Sequence, residues 1–466
     1  MIRWLLPVLA LLGLLAAPAG AATPLTLDEL LRSSAQHAPA ILDAIAKQRQ
    51  VEGRRLSAQG AFDLLFEADA TSRLTGTYDG TIVEGKASQP LLNNGGGLYA
   101  GYRVSRGDFP IYEDKSFTNR LGEVKLGGYF ALLRDRFIDD RRAKLSIAER
   151  DIDIARLDRE MVAIGVQRRA IDAYQNWVAA GQRVAIYRDL LKLATDRQQS
   201  IEQQVARGSR PDILATENRQ NMIRREALLV RAEQDLAAAA NSLSLFLRDD
   251  AGTPVVVDRS RLPATFPTFR LPPTSALEGM PISRPDLDAI LVRLDQNRTK
   301  IQLAENELSP RLDIRAETSK DIGPAGLGGS SRSPTETIVG LRFSVPLQRR
   351  QARGRIAEAE AEAESLALRR KLLSEQIQVE IRAFSIQVDA TSKLVTLAAD
   401  ETRLANRMAE AERRRFQLGA SDFLLVNLRE ESAADARLRQ IDAEYRQAAS
   451  RAELVAATVD REQLGL

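Results

Sequence analysis

Two stretches of this chain, about residues 141–207 and 352–417, keep helix-forming composition and apolar spacings of three, four and seven without interruption. In the first, Ile154, Leu157, Met161, Ile164, Ile171 and Val178 fall on one stripe. In the second, Ile356, Ala359, Ala363, Leu366, Leu373, Ile377 and Phe384 do the same. At about 1.5 Å per residue each run would extend roughly 100 Å, far beyond the width of a compact domain. A helix of that length needs a partner along all of it, as in a coiled coil. An ordinary globular domain is therefore excluded at these positions.

Each run ends at a glycine and a new helical pattern begins at once. Residues 205–214 read VARGSRPDIL and residues 416–425 read FQLGASDFLL. Gly208 and Gly419 can take the left-handed conformation that closes a helix, and Pro211 suits the first turn of the next one. The runs that follow, about 211–247 and 421–458, are rich in alanine. Short connections make successive helices antiparallel neighbours, so each glycine is expected to be the tip of a long hairpin. Arg207, Gly208, Ser209, Arg210, Pro211 and Asp212 form one tip; Leu418, Gly419, Ala420, Ser421 and Asp422 form the other. Their polar side chains have no core to serve.

The duplication extends beyond the tips. APAILDAIAKQRQ near residue 38 is similar to RPDLDAILVRLDQNR at 284, and each opens a shorter helix followed by segments of period two. Thr337, Val339, Leu341, Phe343 and Val345 alternate with Ile338, Gly340, Arg342 and Ser344; Leu312, Ile314 and Ala316 alternate with Arg311, Asp313, Arg315 and Glu317. Val124, Leu126, Gly128 and Phe130 stand against Glu123, Lys125 and Tyr129. About ten residues with one apolar and one charged face is the pattern of a transmembrane barrel strand; a half-buried strand of a soluble sheet has the same pattern. The second half offers strands at about 310–320 and 335–347, linked by the Gly/Ser-rich DIGPAGLGGSSRSPTE, which reads as an exposed loop. The first half offers about 62–77 and 120–132, with weaker candidates at 81–89 and 97–105. Four to six strands cannot close a barrel, since the smallest need about eight, so closure requires several chains.

The opening residues carry Arg3, an apolar run from Trp4 to about Ala17 and a small-residue site at Ala19-Gly20-Ala21, the layout of a cleaved secretory signal. No other stretch approaches 18 consecutive apolar residues. The chain has no cysteine, which excludes disulfides, thiol chemistry and Cys-based zinc sites. Its net charge of +3 is spread over alternating acids and bases rather than gathered into a patch, which argues against nucleic acid as a partner. Prolines 254, 263, 267, 272, 273 and 281, with Pro285 just beyond, mark residues 249–283 as an extended connector. The expected organisation is thus a signal at 1–21, a first repeat at 22–248, the connector at 249–283 and a second repeat at 284–466.

The order helix, strands, long helix, glycine tip, helix, given twice behind a signal, resembles the outer-membrane efflux protein family, the TolC-like channels. The strand-to-helix junction FSVPLQRRQARGRIAEAEAEAE, the tips at Gly208 and Gly419, and RPDLDAILVRLDQNRTKIQLAENELSPRLDIRAETS with Arg284, Pro285, Asp286, Leu287, Ala304, Pro310, Arg311 and Leu312 carry the resemblance. It implies a mixed α and β fold: coiled-coil-like hairpins forming an α-barrel, and strands contributing to an oligomeric transmembrane β-barrel. It implies a homotrimer in the outer membrane of a Gram-negative bacterium, with a large periplasmic part. The tips would meet a periplasmic adaptor, a membrane fusion protein tied to an inner-membrane pump or ABC exporter, and the strands would meet outer-membrane lipid. The expected function is a passive exit duct for tripartite efflux or type I secretion. The alternative is a periplasmic coiled-coil adaptor or scaffold with no channel of its own.

Two departures stand out. The first half is longer, by the difference between a 246-residue offset from Pro39 to Pro285 and a 211-residue offset from Gly208 to Gly419. The surplus coincides with residues 81–119 and is either a strand pair, giving a trimer 18 strands, or a large surface insertion on a 12-strand pattern; the insertion is the reading favoured here. The family often places aspartates six and nine residues after the second glycine, where they close the tunnel. Leu425 and Leu428 occupy those positions, and Leu214 and Glu217 their first-half equivalents, so a largely apolar constriction with Glu217 as its carboxylate is expected.

Chemistry is not expected of this chain. His37 is the sole histidine, at a helix terminus; Asp139-Asp140 and Asp249-Asp250 adjoin arginines at helix boundaries and read as caps and pairing groups. NNGGGLYAGY and GPAGLGG lack the Lys-Ser/Thr of a phosphate loop, and Trp177 reads as packed between helices. No nucleophile, base and orienting group come together, and no cofactor or metal is implied.

Overall fold

The structure is a computed structural model and describes residues 23–273, 283–326 and 334–466. The expected signal segment, the end of the proline-rich connector and the middle of the Gly/Ser-rich stretch lie outside the described residues. In chain order the main elements are α1 (Leu27–His37), α2 (Pro39–Gln59), β1 (Leu65–Ser72), β2 (Thr81–Pro90), β3 (Gly96–Arg106), β4 (Glu123–Ala131), α3 (Asp140–Ala206) and α4 (Ile213–Leu243). They are followed by α5 (Pro285–Asn306), β5 (Arg311–Asp321), β6 (Glu336–Ser344), α6 (Arg350–Gln417) and α7 (Phe423–Ala457). The uninterrupted helical periodicity is realised as single helices, α3 of 67 residues and α6 of 68.

The chain divides into two compact units, residues 1–41, 163–280 and 380–466 in one and residues 42–162 and 281–379 in the other. The first is helical. On α3, Ala170, Ile171, Trp177, Val178 and Val184 are fully buried, and Ala179, Ile186 and Leu190 pack with Ala434 and Ile441 of α7. The alanines matter here because small side chains let helices approach closely enough for the aliphatic ones to interdigitate. The start of the chain is fastened to α3 by polar contacts as well. The Tyr174 hydroxyl donates to the Leu25 carbonyl at 2.7 Å, and Gln167 Nε2 donates to the Leu31 carbonyl at 2.9 Å. The described part of the connector is held at residue level too, with the Leu25 amide donating to Arg261 O at 2.8 Å and Phe269 buried.

The second unit contains one antiparallel sheet in the order β1-β2-β3-β4-β5-β6. This corrects the favoured four-strand reading, because the surplus residues form a hairpin, β2 and β3, inserted between β1 and β4 rather than a surface loop. The weak candidates at 81–89 and 97–105 are those strands. Their apolar face carries Val83, Gly85, Ala87, Leu98, Ala100, Tyr102 and Val104, where glycine and alanine interrupt the larger side chains, while the opposite face carries Glu84, Lys86 and Arg103. The first strand is also shorter than expected: residues 60–62 form a 3-10 turn and pairing runs only from Leu65 to Ser72.

Candidate functional site

The candidate functional surfaces are the two faces of the sheet and the two helical tips. Ladder partners in an antiparallel sheet share a face, so the pairing assigns every strand residue. Phe66, Ala68, Ala70, Val83, Ala87, Leu98, Ala100, Tyr102, Val104, Val124, Leu126, Phe130, Leu312, Ile314, Val339, Leu341 and Phe343 fall together. Glu67, Asp69, Glu84, Lys86, Arg103, Glu123, Lys125, Arg315, Glu317, Glu336 and Arg342 fall on the other side. In a soluble sheet the apolar side would be the buried one. Here it is open: Phe66 and Leu341 are each 69% exposed and Phe343 is 65% exposed. Exposed apolar area this continuous marks a contact with lipid or protein.

The charged side is internally organised. Arg103 pairs with Glu123 at 2.7 Å, and Lys125 reaches the same carboxylate at 3.4 Å. The Tyr99 hydroxyl donates to Glu317 at 2.5 Å and accepts from Arg315 Nε at 2.9 Å, with Lys86 over its ring at 5.2 Å. Glycine is required beneath these rings. A Cβ on Gly127 would stand 2.4 Å from the Tyr99 ring, and one on Gly97 would stand 2.8 Å from the Tyr129 ring. Each tyrosine ring thus lies over a cross-strand glycine on the charged face.

The tips use one device twice. Gly208 has φ +73° and its amide donates to Val205 O at 2.8 Å, while Ser209 N donates to Gln204 O at 2.9 Å. Gly419 has φ +76°, with Gly419 N to Phe416 O at 3.0 Å and Ala420 N to Arg415 O at 2.8 Å. Both are complete Schellman closures, in which the amides beyond the helix satisfy its last carbonyls. The next helices start differently. Asp422 is extended (φ −96°, ψ 166°) and its carboxylate accepts from Leu425 N at 2.7 Å, whereas Asp212 is already helical (φ −61°, ψ −28°) and caps nothing. Arg207, Gly208, Ser209, Pro211, Asp212, Leu418, Gly419, Ala420 and Asp422 are exposed; Arg210 and Ser421 are partly buried. Arg210 lies 5.2 Å over the Phe416 ring, which joins the two tips. Of the expected constriction residues, Glu217 and Leu428 are exposed and Leu214 and Leu425 are partly buried.

Sequence reasoning missed the polar cluster a few turns above the tips. Glu430 is 2% exposed and Arg225 1%. Arg225 donates to Glu430 Oε2 at 3.1 Å and to Leu190 O at 2.8 Å. Arg197 also pairs with Glu430 and donates to Asn427 Oδ1 at 2.6 Å, an atom that accepts from Asn221 at 3.0 Å as well. Arg197 further lies 5.7 Å over the Phe423 ring. Burial pushes the Arg225 guanidinium below its ordinary value, against the pull of the Glu430 carboxylate. The available signal was Asn218, Arg225, Ala232 and Ala239, spaced by seven and all buried. Carrying that heptad through would have put Arg225 in the core.

The sheet thus has a charged face and an uncovered apolar face, and each long hairpin turns at a glycine of positive φ. Residues 280–458 match the family described as outer membrane efflux protein. The fold is that of solved channels over 93% of this chain. The outer membrane protein VceC from Vibrio cholerae matches with TM-score 0.64 and 16% identity over 95% of its length. The open state of the MtrE outer membrane channel of Neisseria gonorrhoeae matches with TM-score 0.64 and 16% identity over 88%. The CmeC outer membrane channel of Campylobacter jejuni matches with TM-score 0.62 and 14% identity over 85%. No curated protein matches the chain significantly. Among the described residues no helix is long and apolar enough to cross a membrane.

Proposed function

We propose that this chain is one subunit of a trimeric outer-membrane exit duct. It passively conducts cargo delivered by a periplasmic adaptor and an inner-membrane pump or exporter, and it performs no bond chemistry. The observation that carries this reading is the uncovered apolar face of the sheet, which suits the hydrocarbon of a bilayer, opposite a charged face that suits water. A second surface agrees with a multi-chain tunnel. Leu368, Leu372, Val379, Ile386, Leu397, Leu404 and Met408 of α6 are all exposed and separated by four, seven or eleven residues, a coiled-coil seam left open in the single chain. A second copy of the chain is the partner that a duct requires there.

The two tips are the adaptor-docking surface in this reading, six per trimer and of two alternating kinds. Leu214, Leu425 and Leu428 form a mostly apolar constriction to which Glu217 adds the carboxylate. A strong block by trivalent cations that is lost in Leu425→Ala but kept in Glu217→Ala would contradict that assignment. The duct itself is tested by fractionation and planar-bilayer recording. A heat-modifiable trimer in outer membranes that gives discrete conductance steps is expected, and a soluble periplasmic monomer rejects it. Gly208→Leu and Gly419→Leu place a side chain in the left-handed region, at about 1–2 kcal/mol each, in open space. They should stop export while the trimer still assembles; loss of the trimer would reject the tip assignment.

A further inference from the structure

The end of the sheet opposite its helix junctions carries cations on the apolar face. Arg106, the last residue of β3, pairs with Thr81 and lies two residues on from Val104, so it shares the face of Val83 and Val104. Lys320 of β5 and Tyr102 of β3 are both ladder partners of Val124, so they stand level on that face. Arg120 approaches from the β3–β4 loop. All three cations are exposed, and among the described residues none has an ion-pair partner. We infer that Arg106 and Arg120, with Lys320 beside them, bind the phosphate groups of a lipid head group in the outer leaflet. This rests on the exit-duct reading above, because the bilayer is what brings a head group to this rim.

The depth of Arg106 matches a head group. Gly96, the partner of Phe130 at the helix-side end of the apolar face, is the first of the 11 residues of β3, and Arg106 is the last. At about 3.4 Å per residue and a tilt of about 40°, the two are separated by about 26 Å along the bilayer normal, close to the height of about 25 Å of a barrel's apolar band. Arg106 therefore stands at the upper limit of the hydrocarbon. Tyr102 lies just below it on the same face, half exposed, with its hydroxyl donating to the Leu121 carbonyl at 2.6 Å. That is the place of an aromatic girdle. Lys320, level with the tyrosine, can carry its ammonium up to the head groups on a flexible stem.

The two arginines are placed before any ligand arrives. They line one cavity of about 240 Å³ together with Ser105, Phe117 and Thr118. The Ser105 amide donates to Thr118 Oγ1 at 2.9 Å and the Thr118 amide donates to Ser105 Oγ at 2.8 Å, which ties the loop to β3. The Asn119 amide donates to Asp321 at 2.9 Å, which ties the loop to β5. Loop acids are engaged elsewhere: Glu113 pairs with Arg73 at 2.6 Å, and Asp79 accepts from the Asp108 amide at 2.7 Å. Among the described residues no carboxylate lines the cavity. Two guanidinium groups in one cavity repel each other, and an anion between them replaces that repulsion with two attractions.

Phosphate suits this arrangement better than carboxylate. A phosphomonoester carries about −1.5 to −2 charge at pH 7, enough to balance both arginines, whereas a carboxylate balances one. Each guanidinium presents a planar fork that matches two phosphate oxygens, and forks from two segments can hold separate oxygens of one group. The arginine-rich cavity at the strand-to-helix junction is different in kind. Asp140 and Glu307 line it beside Arg134 and Arg355, and Glu307 already pairs with Arg355.

The test titrates the protein, purified from outer membranes in detergent, with lipid A, a diphosphorylated glycolipid, and counts bound lipid by native mass spectrometry. Saturable binding is expected. Arg106→Ala/Arg120→Ala should weaken it by about tenfold or more, the worth of one charge-assisted hydrogen bond. Arg106→Lys/Arg120→Lys should keep part of it, and Arg342→Ala, which removes a cation of the opposite face, should leave it unchanged. Equal binding of lipid A stripped of its phosphates overturns phosphate recognition, and that arm uses the parent protein, so it stands whether or not a variant assembles. Full displacement by equimolar inorganic phosphate makes this a free-anion site and overturns the lipid. An equal loss in Arg342→Ala overturns the site. Planar-bilayer conductance of the same preparations separates this inference from the duct reading. Conductance without lipid binding rejects the site and leaves the duct, and lipid binding without conductance rejects the duct and leaves the site.

Discussion

Glu430 is the carboxylate on which the cluster above the tips depends, and Glu430→Gln is the sharpest test of it. Arg225 and Arg197 have side chains 1% and 8% exposed, so neither guanidinium can exchange its partner for bulk water. The amide keeps an acceptor but removes the one formal negative charge that, among the described residues, pairs with Arg225, at 3.1 Å. Breaking a buried pair by deleting one member costs about 3–5 kcal/mol. The lower figure applies here because Arg225 keeps Leu190 O at 2.8 Å and Arg197 keeps Asn427 at 2.6 Å. A loss of about 3 kcal/mol is on the order of a hundredfold in a local opening equilibrium. Hydrogen exchange of the detergent-solubilised protein should show it as faster exchange of α7 amides around residues 426–434, with those around 448–455 unchanged. Glu430→Met/Arg225→Met, which removes both members, should open less readily than Glu430→Gln, since no unpaired guanidinium remains at 225. An exchange rate within threefold of the parent, or a double variant worse than the single, would refute the claim that the pair is electrostatically coupled.

Three further outcomes follow from the same structure. Asp422→Ala should weaken the start of α7 by about 1 kcal/mol, read as faster proteolysis after residue 422, whereas Asp212→Ala should change little because Asp212 caps nothing. Burial pushes the Tyr174 hydroxyl up to about 12. The unfolded chain ionises this group near 10 and the folded one holds its proton, so the stabilisation is complete below about pH 10 and is lost as the pH rises toward 12. The alkaline fall in melting temperature should therefore be shallower in Tyr174→Phe, and an unchanged slope would show that Tyr174 does not control it. Gly127→Val drives a side chain into the Tyr99 ring and should prevent trimer assembly; Tyr99→Ala in the same chain should partly restore it, and equal defects would mean that the contact is not the cause.

Periodicity made the helices readable because a heptad repeated about nine times has few competing explanations, and the ends of α3 and α6 fall within two residues of the expected positions. The tips were readable for a related reason: a glycine between two long helical patterns is needed where φ must be positive. The sheet was only half readable. β5 and β6 pair large aliphatic residues with charges, while β2 and β3 break the apolar side with Gly85, Ala87 and Ala100 between Val83, Leu98, Tyr102 and Val104, which weakens the alternation that a sequence shows. The Glu430 cluster was invisible to a reading that sorts helix faces into apolar cores and charged surfaces. Its members sit at core heptad positions and are admitted only because each is paired from another helix.

The single chain leaves two kinds of surface unfinished, and they differ in what can finish them. The apolar face of the sheet can be covered by any hydrocarbon, since it offers no unpaired backbone and needs only to leave water. The edges of β1 and β6 cannot, because a bilayer has no donors or acceptors for a row of open amides and carbonyls, each costing several kcal/mol when unpaired there. Lipid therefore solves the face and makes the edge problem worse. Only another strand with matching parity resolves it, and the strand that this chain always supplies at equal concentration is its own opposite edge. Membrane insertion and oligomerisation are on this argument one event: a lone sheet should not be stable in the bilayer, and a variant that weakens that edge pairing should fail to insert rather than insert as a monomer.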